Sequence, residues 1–255
     1  MPYRFEWSAV LAPDALRLLA AGLAVTVVLA LVSGGLAVAL AVAVETARLT
    51  RPRLGRWVAA YIALFRGVPP LLAVFFFSFA LPLALPEPLR APLFFENPLA
   101  ATLLRLTGIH PLYFAALVAA LALNTSAYLA EILRAAVGSV AIGQEDAGLA
   151  TGLGRGAVLW DILLPQAVLL SLPALVARLI HNLRNTSLAV FVPVPDLFSA
   201  VQTGASRTFR APEFLLAGAV LYLGLSWSVA LLTEMVARRR ATWAPDVVAE
   251  LEWRA

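Results

Sequence analysis

Residues 143–167, GQEDAGLATGLGRGAVLWDILLPQA, form a polar, glycine-punctuated stretch between apolar runs long enough to cross a bilayer. Its chemistry suits gripping another protein. Glycines at 143, 148, 152, 154 and 156 permit a short helix, a tight turn and close backbone approach. Leu149, Leu153, Val158, Leu159 and Trp160 supply an apolar face that can enter a partner's groove. Glu145 and Asp146 precede Ala147 and Gly148, so Asp146 can charge a helix start or meet a basic residue of a partner. Gly152, Ile162, Leu164 and Pro165 complete the pattern, and Pro165 marks where the chain turns back towards the membrane. A second set, Arg178, His181, Asn182, Arg184, Asn185, Thr186 and Ser187, lies in or beside a later apolar run, where ionisable groups are costly and face a cavity or a partner. Spacings of three and four put Arg178, His181 or Asn182, and Asn185 on one helical face. That face could line a path, with Arg178 or Arg184 pairing a substrate carboxylate. Alternatively, these groups pair with Glu131, with backbone carbonyls or across a subunit interface.

Composition removes most catalytic readings. There is no Cys and no Lys, so thiolate chemistry, Schiff bases and a Walker-type phosphate loop within this chain are excluded. His110 and His181 are the only histidines, and carboxylates are not gathered near either, so no metal site is expected. Hydrophobic residues make up 62% and charged residues 13% of the 255, with a mean hydropathy of +0.88; a soluble domain carries about 25% charge. The chain reads as an all-α integral membrane protein. Its net charge of +4 comes from arginines beside apolar spans with no interleaved aromatic platform, which favours orientation signals over nucleic-acid binding.

The elements that must position these residues are five apolar spans, near 18–44, 57–83, 112–137, 168–192 and 214–237. Pro69 and Pro70 should kink or restart the second helix, and Arg66 and Glu131 near span ends suit a salt bridge or cap. The segment from Pro82 to Pro111, with Phe94 and Phe95, reads as an external loop with room for a short interfacial helix. With the amino terminus outside, Arg48, Arg51, Arg53, Arg56, Arg134, Arg155 and Arg238–Arg240 fall on the cytoplasmic side, together with the 146–165 loop. The expected organisation is an external segment at 1–17, a transmembrane domain at 18–240 with a cytoplasmic loop at about 138–166, and a cytoplasmic tail at 241–255.

Four blocks carry a family resemblance. Arg66-Gly67-Val68-Pro69 with Leu71 and Leu72, then Tyr128, Glu131 and Arg134 in SAYLAEILRAAV, then the 146–165 loop, then Arg184-Asn185-Thr186-Ser187-Leu188 resemble the permease subunits of polar amino-acid ABC importers, the histidine, glutamine, arginine and glutamate systems. The loop resembles that family's EAA loop, which begins Glu-Ala-Ala where this chain has Asp146-Ala147-Gly148; Ala73 stands where many members have a polar residue. The resemblance implies a type I ABC importer permease in the bacterial inner membrane, transporting an amino acid and coupled through the loop to two ATP-binding subunits. It further implies an extracytoplasmic binding protein and a second permease chain, identical or related. This chain would do no covalent chemistry and bind no cofactor, ATP and Mg belonging to the partner subunits. The rival readings are a secondary transporter or a structural membrane subunit not coupled to an ATPase. A secondary transporter would use ion-binding carboxylates in unwound spans, against which stand the five spans and the large glycine-rich loop.

Overall fold

Long runs of Ala, Leu and Val offer a bilayer no backbone partners, so the chain closes its hydrogen bonds within helices. The computed structural model describes residues 3–92, 97–140 and 143–241, and no strand occurs among them. The order is α1 (Ser8–Leu11), α2 (Pro13–Thr50), α3 (Gly55–Gly67), α4 (Pro70–Phe75), α5 (Leu81–Ala84), α6 (Glu87–Arg90), α7 (Pro98–Thr107) and α8 (Pro111–Ser139). It continues with α9 (Gln144–Ala150), α10 (Arg155–Ala157), α11 (Leu164–Asn185), α12 (Leu197–Thr208) and α13 (Ala211–Ala241). Four stretches are long and apolar enough to cross a membrane: α2, α8, Arg155–Phe191 and α13 over Ala211–Met235. The broken pair Pro52–Gly67 and Pro70–Ala84 makes a fifth when taken as one span. The break has a local cause, because Pro69 and Pro70 lack N–H donors and Val68, preceding a proline, is driven out of the helical region.

Proline also explains two wide turns. The π-helical segments Phe76–Ala80 and Val158–Leu163 each end two residues before a proline, Pro82 and Pro165. A proline ring would press on the carbonyl four residues back, Ser78 or Asp161, and widening the turn moves that carbonyl away.

By contacts the chain divides into two compact units. The first comprises Met1–Leu36, Val68–Asn124 and Asn182–Leu225; the second comprises Ala37–Gly67, Thr125–His181 and Ser226–Ala255. In the first, Leu29, Val74, Leu117, Leu121, Ala189 and Val194 form one buried cluster, and Val10, Leu19, Leu197, Val201 and Phe214 form another. Two buried polar groups there are matched: Thr26 Oγ1 accepts from the Leu197 N–H at 3.0 Å, and the Asp196 carboxylate caps α12 by accepting from the N–H groups of Phe198 and Ser199. In the second, α8 buries Ala127, Leu129, Ala130 and Leu133, and the Tyr61 and Ser126 hydroxyls hydrogen-bond at 2.6 Å.

The structure alters several boundaries. The first span, α2, begins at Pro13 and runs to Thr50, beyond 18–44 at both ends; Pro13 at its start and Asp14 in its first turn are favourable N-terminal residues. The fourth span starts at Arg155 instead of Val168, so the distal half of the 146–165 loop is already helix. Within 82–111 the chain forms α6 and α7; Phe94, Phe95 and the neighbouring Glu96 lie outside the described residues, as do 242–255 of the tail. Helix α12, between the fourth and fifth spans, was not anticipated. Its buried positions, Leu197, Ala200, Val201 and Gly204, follow helical spacing over a run too short and polar to span.

Candidate functional site

The 143–165 segment folds as a helical hairpin within the second unit. Gly143 opens α9 with φ +105°, a conformation that glycine adopts without strain. After two turns the helix closes at Thr151–Gly152. The Gly152 N–H donates to the Leu149 carbonyl at 3.0 Å and the Leu153 N–H donates to the Gly148 carbonyl at 3.3 Å, the paired bonds of a Schellman motif. Gly152 holds the left-handed position this requires, φ +87°. The Thr151 hydroxyl donates to the same Gly148 carbonyl at 2.7 Å. The returning arm is α10 and the wide turn Val158–Leu163. A Cβ at Gly148 would stand 2.9 Å from both Ile162 Cδ1 and Val158 Cγ2, so the missing side chain is what lets the two arms touch.

This contact divides the segment's residues by role. Gly148, Val158, Leu159, Leu163 and Leu164 are buried and Ile162 is half-buried, so they build the hairpin. The expected apolar docking face is therefore smaller than the sequence suggests, because Val158 and Leu159 are consumed inside. Leu153, 38% exposed, and Trp160, 51% exposed, remain on the surface. Glu145, Asp146, Ala147, Gly152, Arg155, Asp161 and Pro165 are exposed as well. Beside the hairpin lies a polar cavity of about 410 Å³ lined by Arg48, Arg134, Gly138, Gly143, Glu145 and Asp146, among others.

The second residue set separates along α11. Arg178 is half-buried, its guanidinium 3.9 Å over the Tyr128 ring, with Arg66 5.2 Å from the same ring centre. The Tyr128 hydroxyl donates to the Arg66 carbonyl at 3.3 Å. Glu131 pairs with arginines of α8 and α3. It accepts two hydrogen bonds from Arg134, at 3.0 and 2.6 Å, and lies 3.9 Å from Arg66, the salt bridge expected of that pair. His181 and Arg184 are exposed, whereas Asn182 is buried and donates from Nδ2 to Ser33 Oγ at 2.9 Å. Buried Thr186 donates to the Leu183 carbonyl, and half-buried Ser187 donates to the Arg184 carbonyl. Asn185 is half-buried at the helix end. Of the face drawn through Arg178, His181 or Asn182, and Asn185, His181 is exposed, Asn182 is buried, and Arg178 and Asn185 are half-buried.

Within the first unit Arg184 and Ser187 line a mainly apolar cavity of about 320 Å³ with Phe198, Val201, Leu215 and Tyr222. Tyr222 was missed in the sequence. Its hydroxyl donates to Asp196 Oδ2 at 3.2 Å, a contact across 26 residues that one sequence does not show. The Asp196 cap was locally legible, as an acidic residue following Pro195 and immediately preceding a helix-spaced apolar run.

The family model for the binding-protein-dependent transport system inner membrane component matches residues 33–242, which include the hairpin, all of α11 and α12. The chain belongs to this family. Among its relatives, the glutamine transport system permease protein GlnP of Escherichia coli (strain K12) is 32% identical over 243 residues, covering 92% of this chain and 98% of that protein. The arginine transport system permease protein ArtQ of Bacillus subtilis (strain 168) is 29% identical over 204 residues, 79% of this chain and 83% of its own length. A solved amino acid ABC transporter crystallised with histidines shares the fold, with a TM-score of 0.72, 23% identity, and 93% of this chain and all of that one aligned. A MetNI methionine ABC transporter in inward-facing form aligns with a TM-score of 0.66 at 18% identity, over 89% of this chain and 98% of that one. The protein is therefore a multi-pass permease of the amino-acid ABC importer type. The hairpin and the divided α11 are features of this permease.

Proposed function

We propose that this permease forms part of an amino-acid translocation path and couples it to ATP hydrolysis in partner subunits through the 143–165 hairpin. The supporting observation is the hairpin's geometry. Its buried residues lock two helical arms together, leaving Leu153 and Trp160 exposed on the same short hairpin as exposed Glu145, Asp146, Arg155 and Asp161. An exposed aromatic anchor accompanied by charged groups suits a protein–protein hot spot. In this reading Gly148, Gly152, Ile162, Leu164 and Pro165 shape the docking element, while Glu145, Asp146 and Ala147 lie on its contacting side. The hairpin faces the cytoplasm, with the amino terminus outside. Two ATP-binding subunits close on ATP and Mg, and the helical run that begins at Arg155 carries that movement into the fourth span. A loaded binding protein delivers substrate to the opposite face, and a second permease chain, identical or related, completes the path.

The substrate is a polar amino acid, a reading supported by relatives named for glutamine and arginine transport. Arg184, with Ser187 beside it, is the group placed to meet an α-carboxylate; Arg178, over Tyr128, and His181 are further candidates. Asn182, Asn185 and Thr186 serve the path by holding the helix end in place.

The test is retention of the ATPase by the tagged permease in nanodiscs. Trp160→Asp with Leu153→Asp is expected to abolish retention while the melting temperature stays near that of the wild type. Undiminished retention by this variant would overturn the docking role of the hairpin and favour a permease lacking ATPase coupling at this site.

A further inference from the structure

The five residues before α1 have two dissimilar sides. Tyr3, Phe5 and Trp7 occupy alternate positions in this stretch and their rings meet in series, Tyr3 with Phe5 edge-on at 5.2 Å and Phe5 with Trp7 stacked at 5.9 Å. All three remain about half-exposed, at 50%, 51% and 46%. The polar side is fixed. Buried Glu213 accepts from the Tyr3 hydroxyl at 2.6 Å and from the Glu6 N–H at 2.8 Å; Arg210 pairs with the Glu6 carboxylate at 2.6 Å and donates to the Arg4 carbonyl at 3.3 Å. The clasp therefore holds one side of the strap against the protein and turns the row of rings outwards.

Its depth follows from where it is tied. Trp7 lies six residues before Pro13, which opens the α2 span, and Glu213 is the third residue of the α13 span. Both anchors sit where a charged segment meets a run of apolar residues, at the boundary between water and hydrocarbon. Tyr and Trp are enriched at that boundary because an amphipathic ring suits the headgroup layer. We propose that Tyr3–Trp7 is a clasped interfacial anchor whose aromatic face lies among the phospholipid headgroups and upper acyl chains on the side where α2 and α13 begin. Leu11 and Leu16, the next large apolar side chains along the chain, are exposed as well. The anchor fixes the start of α2 and the start of α13 at one depth, independently of any ATPase coupling.

The absence of cysteine makes the test direct. The full permease is reconstituted in phosphatidylcholine nanodiscs carrying one nitroxide, at Phe5→Cys, at Val220→Cys on the exposed side of α13, or at Thr151→Cys on the hairpin surface. Collisions with oxygen and with a neutral nickel chelate then report depth. The Phe5 label should give an oxygen-to-nickel accessibility ratio between those of the other two, without any partner protein. A ratio equal to that at Thr151 would overturn the proposal, as would protection appearing only when a substrate-binding protein is added. Because a label at Phe5 removes a ring, a second measurement leaves the row nearly intact. Shallow brominated phosphatidylcholine should quench wild-type tryptophan fluorescence by a component missing from Trp7→Phe, and identical quenching of the two would refute the anchor.

Discussion

Replacing Gly152 isolates one physical quantity. At φ +87° the residue lies in the left-handed region, yet a Cβ there would meet nothing within 4 Å, so substitution costs backbone conformation and no packing. An L residue in that region costs roughly 1–2 kcal/mol. Helix α9, at seven residues, is too short to hold itself together, so closure of its final turn is coupled to docking. The strain then appears as a factor of about 5–30 in affinity for the ATPase. A graded series is the assay: Gly152→Asn, →Ala and →Val permeases in nanodiscs, each titrated with labelled ATPase subunit. Asn, which tolerates the left-handed region, should bind within a few-fold of wild type; Ala should weaken within that range, and β-branched Val more. Equal binding by Gly and Val would refute the coupling of turn to docking. Asn as weak as Val would show that side-chain bulk at the interface, and not φ, is decisive.

Gly148→Ala sets two effects against each other, a gain of about 1 kcal/mol in helix propensity and an overpacking cost of about 1–3 kcal/mol against Val158 and Ile162. The melting temperature in nanodiscs should fall slightly or stay level, and adding Val158→Ala should cost less in this background than in wild type; additive losses would contradict the close contact. Asn182→Ala should lower stability by about 1 kcal/mol through the lost bond to Ser33 and leave substrate selectivity unchanged, whereas altered selectivity at full stability would place Asn182 on the path. The Tyr3 phenol, donating to the Glu213 carboxylate, is held above its ordinary pKa of 10.0. A raised pKa means that the clasp's contribution is complete below pH 10 and is lost as pH rises through the folded value. The high-pH limb of tyrosinate absorbance should accordingly lose the amplitude of one phenol in Tyr3→Phe, the buried phenols titrating alike in both proteins; superimposable titrations would argue against the clasp.

The class of the protein is legible without coordinates, because hydropathy and the absence of Lys and Cys act residue by residue and need no neighbours. The sequence also set the second-span break, since proline carries its own backbone restriction, and it offered a salt bridge or a cap for Arg66 and Glu131 from their places near span ends. The hairpin was legible as spacing. Tertiary structure decided what the spacing was for. Gly148 is demanded by contact with Val158 and Ile162, and Gly152 by a left-handed turn, two causes that look alike as glycine in a string. Which polar groups on α11 face outwards was also closed to the sequence, because residues 178, 181, 182 and 185 share a helical sector too broad to split without neighbours. Ser33 claims Asn182 and Tyr128 claims Arg178, partners 149 and 50 residues away in the chain. Helix α12 and the Tyr3–Glu213 clasp went unread for the same physical reason: short polar elements owe their stability to distant contacts, whereas membrane spans carry theirs in composition.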